Sequence, residues 1–336
     1  HNLEFFSVWD AVGRDQIASA KEINPLTEVL LVNQFHDILP GTCIPEVHEQ
    51  SLLETNKMLE EVNKLSELIL ASAEQDFITI HNTTSFYRDD VVYIDYEGYY
   101  LDCDYKQQVI ETVKGEKNLA VVGVKLPAYS SSSYGITKQR VEETKSPFVL
   151  EDQYLETPFA KLQFDSYGYI KSIKDKTAHE RELCDKNGYS FNTLLLAEDV
   201  PAAWDNWDVD ADLEYKFKPV NELVSREIVA NGCVELRIRS VYQLTNKSKV
   251  TQDMIVYADS PMIRFETKMD WQDHHRFLKT SFDTAIYTKE ARHEIQFGYV
   301  KRPTTRNNEL EKAKFEVCAH KYTDLSETRY GLAIFN

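Results

Sequence analysis

Apolar side chains recur every three to four positions along the first part of the chain, a period that predicts amphipathic α-helices. The stripe of the first predicted helix consists of Phe5, Val8, Trp9 and Val12. Pro25 predicts the start of a second helix, because proline is favoured at the first helical position. Pro40-Gly41 predicts a break, and a third helix is predicted over 44–72. Residues 1–75 are therefore predicted to form a three-helix bundle segment.

From about residue 76 the apolar period shortens to two, which predicts β-strands. The segments 77–80, 91–94 and 119–125 are rich in β-branched and aromatic residues, which favour strands. A serine run and charged residues follow them. We interpret residues 76–147 as a small β domain and a linker.

Strand patterns are densest in the last part of the chain. Asn231-Gly232 is a strong hairpin signal, because both residues tolerate a positive φ. The segments 234–239 and 263–271 alternate apolar and polar residues, as half-buried antiparallel strands do. Residues 148–336 are therefore predicted to form a large antiparallel β-sandwich. The predicted fold class is α+β.

Charge and composition exclude several classes of protein. Of the 336 residues 42% are hydrophobic and 28% are charged, as in a folded globular protein. The formal net charge is −17, and such an acidic surface is a poor partner for phosphate backbones and for anionic lipid, so we expect neither nucleic-acid binding nor peripheral membrane binding. No apolar stretch reaches the roughly 20 residues of a membrane helix. Oligomeric state, including a homo-oligomer, is left open by these features.

Cysteine usage and the chain ends bear on location and completeness. The five cysteines are widely spaced without any C-x-x-C pair, which predicts free thiols and a cytoplasmic protein. The chain begins with His1, without a signal peptide, and ends within or just after an apolar run. We expect it to be a fragment of a longer protein, cut at both ends.

The first candidate for chemistry is the pair His36 and Asp37, just before the break at Pro40-Gly41. Adjacent residues of a regular helix point about 100° apart, so the two can share a site only where the helix ends. A buried histidine there is suited to bind a metal ion. The alternative is a capped helix end with a surface histidine.

A second candidate is the segment Trp204-Asp205-Asn206-Trp207-Asp208. Its acidic spacing does not match a calcium loop, since Leu213 stands where the required glycine would be. Indole faces beside carboxylates suit a sugar, which stacks on an aromatic ring while its hydroxyls bond acids. The alternative is an acidic surface loop held by two buried tryptophans.

Two further polar segments are interpreted as structural. In Asp270-Trp271-Gln272-Asp273-His274-His275-Arg276 a metal site is the alternative to a charged strand end, and we favour the strand end. The segment 298–307, which contains Arg302, is interpreted as a solvated turn after a strand. Neither H-E-x-x-H nor H-x-D occurs in the chain.

Together these segments resemble the glycoside hydrolase family 38 α-mannosidases, most closely the cytosolic and bacterial branch. The resemblance extends over essentially the whole chain, and one departure is Thr305, where that branch commonly has histidine. The motifs that carry it, in order, are Asn33-Gln34-Phe35-His36-Asp37 with Pro40-Gly41-Thr42, Trp204-Asp205-Asn206-Trp207-Asp208, Gln296-Phe297-Gly298 with Arg302-Pro303-Thr304, Phe315-Glu316-Val317, Ala319-His320 and Asp324-Leu325-Ser326-Glu327.

The resemblance implies the helical and β-sandwich C-terminal portion of a zinc-dependent retaining enzyme that hydrolyses terminal α-D-mannosyl residues. It implies a galactose-mutarotase-like large sandwich, with the nucleophile, the acid/base and an H-x-D zinc pair in an upstream barrel. It assigns His36 to the metal, which is zinc or another divalent cation. It implies substrate-binding roles for Asp37, Trp204, Asp205 and Arg302. The chain alone is then expected to be inactive.

Three other functions stay open at this point. One is a non-catalytic carbohydrate-binding β-sandwich protein with exposed tryptophans, and another is a purely structural β module. The third is a family 38 hydrolase that acts on mannosyl-glycerate. Linkage preference and aglycone are not readable from the sequence.

Overall fold

A computed structural model of the chain describes residues 1–13, 19–70, 76–139, 145–205 and 207–336. The chain divides into two compact units. The first comprises His1–Gln107 and Leu119–Glu142, and the second comprises Gln108–Asn118 and Glu143–Asn336. The division at residues 75/76 and 147/148 stays a prediction, and residues 71–75 lie outside the described part of the chain.

The helices of the first unit are α1 (Asn2–Gly13), α2 (Ala20–Asn33) and α3 (Pro45–Leu70). The predicted start of the second helix at Pro25 is wrong, because Pro25 lies inside α2. The helix starts at Ala20, where Ser19 and Glu22 form a capping box and the Glu22 carboxylate accepts from the Ser19 N–H at 2.9 Å. Such a cap satisfies N–H groups of the first turn that have no partner within the helix.

The core of the helical segment is small. Leu3 and Phe6 of α1 are buried against Leu65 and Ile69 of α3, with partly buried side chains of α2 beside them. Many other apolar side chains of the three helices are exposed. The amphipathic pattern therefore marks the helices correctly, but only part of each stripe is covered within this unit.

Short strands follow α3 and form two three-stranded sheets with the orders β1-β6-β3 and β2-β5-β4. The turn between β4 and β5, within Gln108–Asn118, belongs to the second unit. These strands are β1 (Phe77–Asn82), β2 (Val92–Asp95), β3 (Tyr100–Leu101), β4 (Lys106–Glu111), β5 (Lys117–Val122) and β6 (Ser130–Thr137).

The remaining strands form antiparallel sheets with the orders β11-β10-β9-β8-β7, β13-β12-β18, β14-β15-β16-β17 and β20-β19-β21-β22. The short helix α4 (Glu309–Lys312) follows β20. The strands are β7 (Val149–Glu151), β8 (Tyr154–Glu156), β9 (Ala160–Phe164), β10 (Ile170–Asp175), β11 (Arg181–Glu182), β12 (Thr193–Glu198), β13 (Lys218–Pro219), β14 (Leu223–Asn231), β15 (Glu235–Gln243), β16 (Lys249–Tyr257), β17 (Ile263–Asp270), β18 (Arg276–Ser281), β19 (Glu290–Ile295), β20 (Gly298–Pro303), β21 (Tyr322–Ser326) and β22 (Gly331–Phe335).

The main core of the second unit lies between two of these sheets. Leu155, Leu162 and Phe164 of the five-stranded sheet share one cluster with Leu236 and Met254 of the β14–β17 sheet. Two antiparallel sheets packed face to face make a β-sandwich. The predicted α+β class, with a helical segment followed by sandwich domains, is confirmed.

One detail of the strand prediction is wrong. The alternation in 234–239 predicted that the charged side chains face water, yet Glu235 and Arg237 are fully buried. The segment Gln108–Asn118 lies over this face, where the Gln108 side chain bonds the backbone of Val234 and Glu235. A local pattern cannot show that a distant segment covers the polar face of a strand.

Candidate functional site

His36 and Asp37 lie on a short turn after α2. The helix ends at Asn33, and the Gln34 N–H closes it on the Leu30 carbonyl at 3.1 Å. The expectation that Pro40-Gly41 ends the helix is therefore wrong by several residues. Gly41 instead supplies the positive φ of 77° that the end of the turn requires.

The turn presents its polar side chains to solvent. His36 Nε2 lies 3.5 Å from Asp37 Oδ1, and their side chains are 70% and 44% exposed. The Phe35 ring lies beside the imidazole, with ring centroids 4.3 Å apart. The helix behind the turn is anchored by Asn33, whose buried amide donates to Glu54 of α3 at 3.2 Å. The expectation of a buried histidine is therefore wrong, because the His36 imidazole and the nearby Asp37 carboxylate are both open to solvent.

The tryptophan loop lies in the second unit, between β12 and β13. The alternative of an acidic loop held by two buried tryptophans is wrong, because Trp204 is 74% exposed and Trp207 is 59% exposed. The N–H groups of Trp207 and Asp208 both donate to the Trp204 carbonyl, at 2.8 and 2.9 Å, so the loop is a closed turn. Asn206 lies outside the described residues. Two indole rings are available to a ligand.

Asp205 of this loop faces a histidine from a distant part of the sequence. Its Oδ2 lies 3.7 Å from Nδ1 of His275, and the Asp199 N–H donates to the His275 carbonyl at 2.9 Å. Trp204 and His275 both have left-handed backbones, with φ of 59° and 54°. Such backbone conformations in residues with side chains cost energy and cluster at functional sites. The sequence analysis named both segments but had no signal that would pair them.

Arg302 lies in β20, opposite Ala291 of β19. Residues two apart share a face of a strand, so Arg302 lies on the face that carries the buried His293. Burial, and secondarily the Arg302 charge, lowers the pKa of His293 below its ordinary value. The Nε of Arg302 is buried and has no hydrogen-bond partner within the described residues. The Arg302 guanidinium is therefore partly buried. The prediction of a solvated turn is wrong at this residue, which lies in a strand.

The predicted site residues belong to two units. His36 and Asp37 are in the first, whereas Trp204, Asp205 and Arg302 are in the second. Over the described ranges no three His, Cys, Asp or Glu side chains converge as they would to hold a metal ion. His36 with its neighbour Asp37 therefore does not complete a zinc site, which needs three or four protein ligands. Of the described helices, none is long and apolar enough to cross a membrane.

Comparison with protein families identifies most of the chain. Residues 155–336 match the glycosyl hydrolases family 38 C-terminal domain. Residues 1–72 match the alpha mannosidase middle domain. The two matches occur in this order and include every predicted site residue.

Curated relatives and a solved structure agree with the family matches. The chain is 27% identical over 327 residues to human alpha-mannosidase 2C1, with 94% of this chain and 30% of that protein covered. It is 27% identical over 330 residues to the alpha-mannosidase of Saccharomyces cerevisiae, with 94% and 27% covered. An alpha-mannosidase structure from Enterococcus faecalis V583 has the same fold, with a TM-score of 0.74, 13% identity and coverage of 99% and 46%.

The matches cover nearly all of this chain but only part of each relative. The chain spans about 30% of the length of the curated relatives that it matches. The C-terminal-domain match alone covers more than half of its 336 residues. On this evidence the chain belongs to glycosyl hydrolase family 38, of which it carries the middle and C-terminal domains.

Proposed function

We propose that the chain is the middle and C-terminal part of a zinc-dependent, retaining α-mannosidase that removes terminal α-D-mannosyl residues from glycosides. The observation that carries this proposal is the match of both domains, in order, together with relatives that are named alpha-mannosidases. Because the chain spans about 30% of those relatives, we assign the activity to the parent polypeptide. A cytoplasmic location is proposed with it, on the grounds of five free cysteines.

His36 is proposed as a metal ligand and Asp37 as a group that bonds a sugar hydroxyl. Support comes from their exposure and from their 3.5 Å separation on a turn that is anchored to α3. Because the described residues hold no complete metal site, the other zinc ligands are proposed to come from the parent polypeptide outside this chain. The paired carboxylates of a retaining mechanism, about 5 Å apart, are proposed to lie there too.

Trp204, Asp205 and Arg302 are proposed to contact the substrate. The exposed indole of Trp204 offers a flat apolar surface for the C–H face of a sugar. Asp205 offers a carboxylate held beside His275, and carboxylates accept strong hydrogen bonds from hydroxyl groups. Arg302 is proposed with them because a guanidinium supplies several donors for hydroxyl oxygens.

A second candidate function is carbohydrate binding without catalysis. The observation that favours it is the exposure of Trp204 and Trp207 on a β-sandwich unit. The two candidates differ in whether the parent polypeptide turns over a substrate, so a single assay separates them.

The experiment compares hydrolysis of a nitrophenyl α-mannoside by the 336-residue chain and by the parent polypeptide, each with added zinc. We expect turnover only by the parent, with loss of activity after chelation and recovery with zinc. Proton NMR should show the α-anomer of mannose as the first product, as retention requires. Absence of turnover by a folded, zinc-loaded parent would favour the binding module, and turnover by the chain alone would contradict the placement of the missing groups.

A further inference from the structure

A cleft of about 950 Å³ lies in the second unit, beside the β13-β12-β18 sheet. Its volume is at the upper end of the range for small-molecule sites, roughly 300–1,000 Å³. The walls come from the end of β12, from β13 and the residues after it, from the turn after β15 and from the start of β18. These segments are distant in sequence, so no sequence motif marks the cleft.

The floor of the cleft is apolar. Leu196, Val220 and Leu244 line it, and the last two are buried in a cluster with the stacked pair Tyr169 and Tyr242. The Tyr169 hydroxyl donates to the Val220 carbonyl, which fixes the segment just after β13 that carries this part of the floor. The floor is therefore apolar and rests on a packed cluster.

The rim of the cleft carries charges of both signs. Lys216 and Lys218 lie on either side of Phe217, whose ring packs at 6.1 Å against Phe277 on the other side of the strand. Both lysines line the cleft, and Lys216 also pairs with Asp212 at 3.0 Å. Glu198 and Arg276 are directly opposite each other on β12 and β18 and line another part of the rim.

The amide of Gln243 is held in place at one end of the cleft. Its Nε2 donates to the carbonyls of Thr245 and Ser248, at 2.5 and 3.1 Å. The backbone of Gln243 is tied to the opposite wall, where its N–H donates to the Glu222 carbonyl at 3.0 Å. Both hydrogens of this amide are used within the protein, so Oε1 is the side-chain atom left to accept from a ligand. A polar group whose position is set before binding loses little freedom when a ligand arrives.

An exposed aromatic side chain stands next to this rim. Tyr215, which precedes Lys216, is 84% exposed at the end of a short 3₁₀ turn. That turn is fastened by an ion pair of Glu214 with Arg306, at 2.7 Å. The segment that carries Tyr215 also carries the exposed tryptophans of the loop before it.

We propose that this cleft binds a neutral oligosaccharide, with Tyr215 and Gln243 as ligand-contacting residues. An apolar floor under a rim of carboxylates, ammonium groups and an amide matches the two sides of a pyranose, which has an apolar C–H face and hydroxyl edges. The mixed rim supplies donors and acceptors together, and the net charge of −17 disfavours a polyanion. That the sugar is mannose rests on the proposed function.

Calorimetric titration of the 336-residue chain with an α-linked mannotriose tests the proposal, with maltotriose as the competing sugar. We expect Tyr215→Ala and Gln243→Ala each to weaken mannotriose binding about tenfold, which corresponds to about 1.4 kcal/mol. Gln163→Ala, at an exposed position of β9, is the matched control and should bind like the unchanged chain. Tyr215 is so exposed that its replacement should leave the fold intact. For Gln243→Ala, whose side chain bonds two backbone carbonyls, a melting curve must show that the variant is folded.

Each result separates this proposal from the proposed function. The cleft proposal would be overturned if the chain bound no saccharide at millimolar concentration, or if Tyr215→Ala bound with unchanged affinity. Either result would count even if the parent enzyme hydrolyses mannosides. Binding of maltotriose in preference to mannotriose would overturn the mannose assignment. Selective mannotriose binding that both variants weaken would support the cleft even if the parent polypeptide proves inactive.

Discussion

Nε2 of His36 lies 3.5 Å from Oδ1 of Asp37, on a turn that leaves both side chains open to solvent. If His36 only completed the end of a helix, its replacement would change metal content and activity little. A histidine that binds a metal contributes a bond that no neighbour replaces. The pair therefore offers a direct test of the proposed roles.

In the parent polypeptide, His36→Ala should remove both bound zinc and activity. Asp37→Asn should keep the metal but impair catalysis, because it weakens a charge-assisted hydrogen bond of about 1.5–3 kcal/mol. Elemental analysis and steady-state kinetics measure the two effects. His48→Ala, at an exposed position of α3, is the control and should change neither. Stoichiometric zinc and normal turnover in His36→Ala would show that this histidine is structural.

Arg237 is the centre of a buried ionic cluster in the β14–β17 sheet. Its side chain has no exposed surface, and it pairs with Glu235, with Glu266 at 2.7 Å and with Asp253 at 3.6 Å. Arg237→Met should destabilise the second unit by about 3–5 kcal/mol, because it leaves buried carboxylates without a partner. Urea unfolding followed by circular dichroism measures the loss.

The control for that variant is Arg264→Met in the same sheet. Arg264 is 46% exposed and pairs with Glu266 at 3.2 Å. Ion pairs that are this exposed to solvent contribute about 0–1 kcal/mol to the free energy of unfolding, so Arg264→Met should have a small effect. Similar small losses in both variants would show that water reaches the Arg237 cluster.

His81 of β1 should make the stability of the first unit depend on pH. Its ring packs edge-on against Phe6 at 5.2 Å and Trp9 at 5.9 Å, and burial lowers its pKa. The folded state then disfavours the charged ring. Stability should be full above about pH 6.5, the ordinary pKa, and fall as the pH drops from there toward the lower folded pKa.

Hydrogen-exchange protection of α1 at pH 7.5 and 5.5 measures this dependence. His81→Phe should reduce the difference between the two pH values. His48→Phe on α3 is the control and should retain it. An unchanged pH dependence in His81→Phe would assign the effect to other groups.

The five cysteines should titrate as five thiols in denaturant, since all are free in the structure. In the native protein they should react at different rates. Cys318 is exposed and should react first. Burial, with the nearby Glu182 charge as a secondary cause, raises the pKa of Cys184 to about 12, so its reactive thiolate is scarce. Timed alkylation with mass spectrometry measures the order, and a count of one or three thiols would contradict the cytoplasmic assignment.

Local pattern located the three long helices and the strands β1, β2, β5, β15 and β17. Helical periodicity identified α3 within two residues at each end, and Asn231-Gly232 marked the turn between β14 and β15. The prediction of a helix start at Pro25 failed, because α2 begins earlier, at the capping box of Ser19 and Glu22. Ser19 Oγ accepts from the Lys21 N–H and the Glu22 carboxylate accepts from the Ser19 N–H, so this cap sets where α2 begins.

The sequence by itself determined the helical segment, the antiparallel sheets and the segments that carry His36 and Trp204. Only the tertiary structure decided that Glu235 and Arg237 are buried, that Asp205 faces His275 and that separate strands enclose the Gln243 cleft. Periodicity and turn chemistry act between residues a few positions apart. Burial and side-chain pairing depend on segments far apart in the chain, such as Gln108–Asn118 over β15, and those contacts exist only once the sheets have assembled.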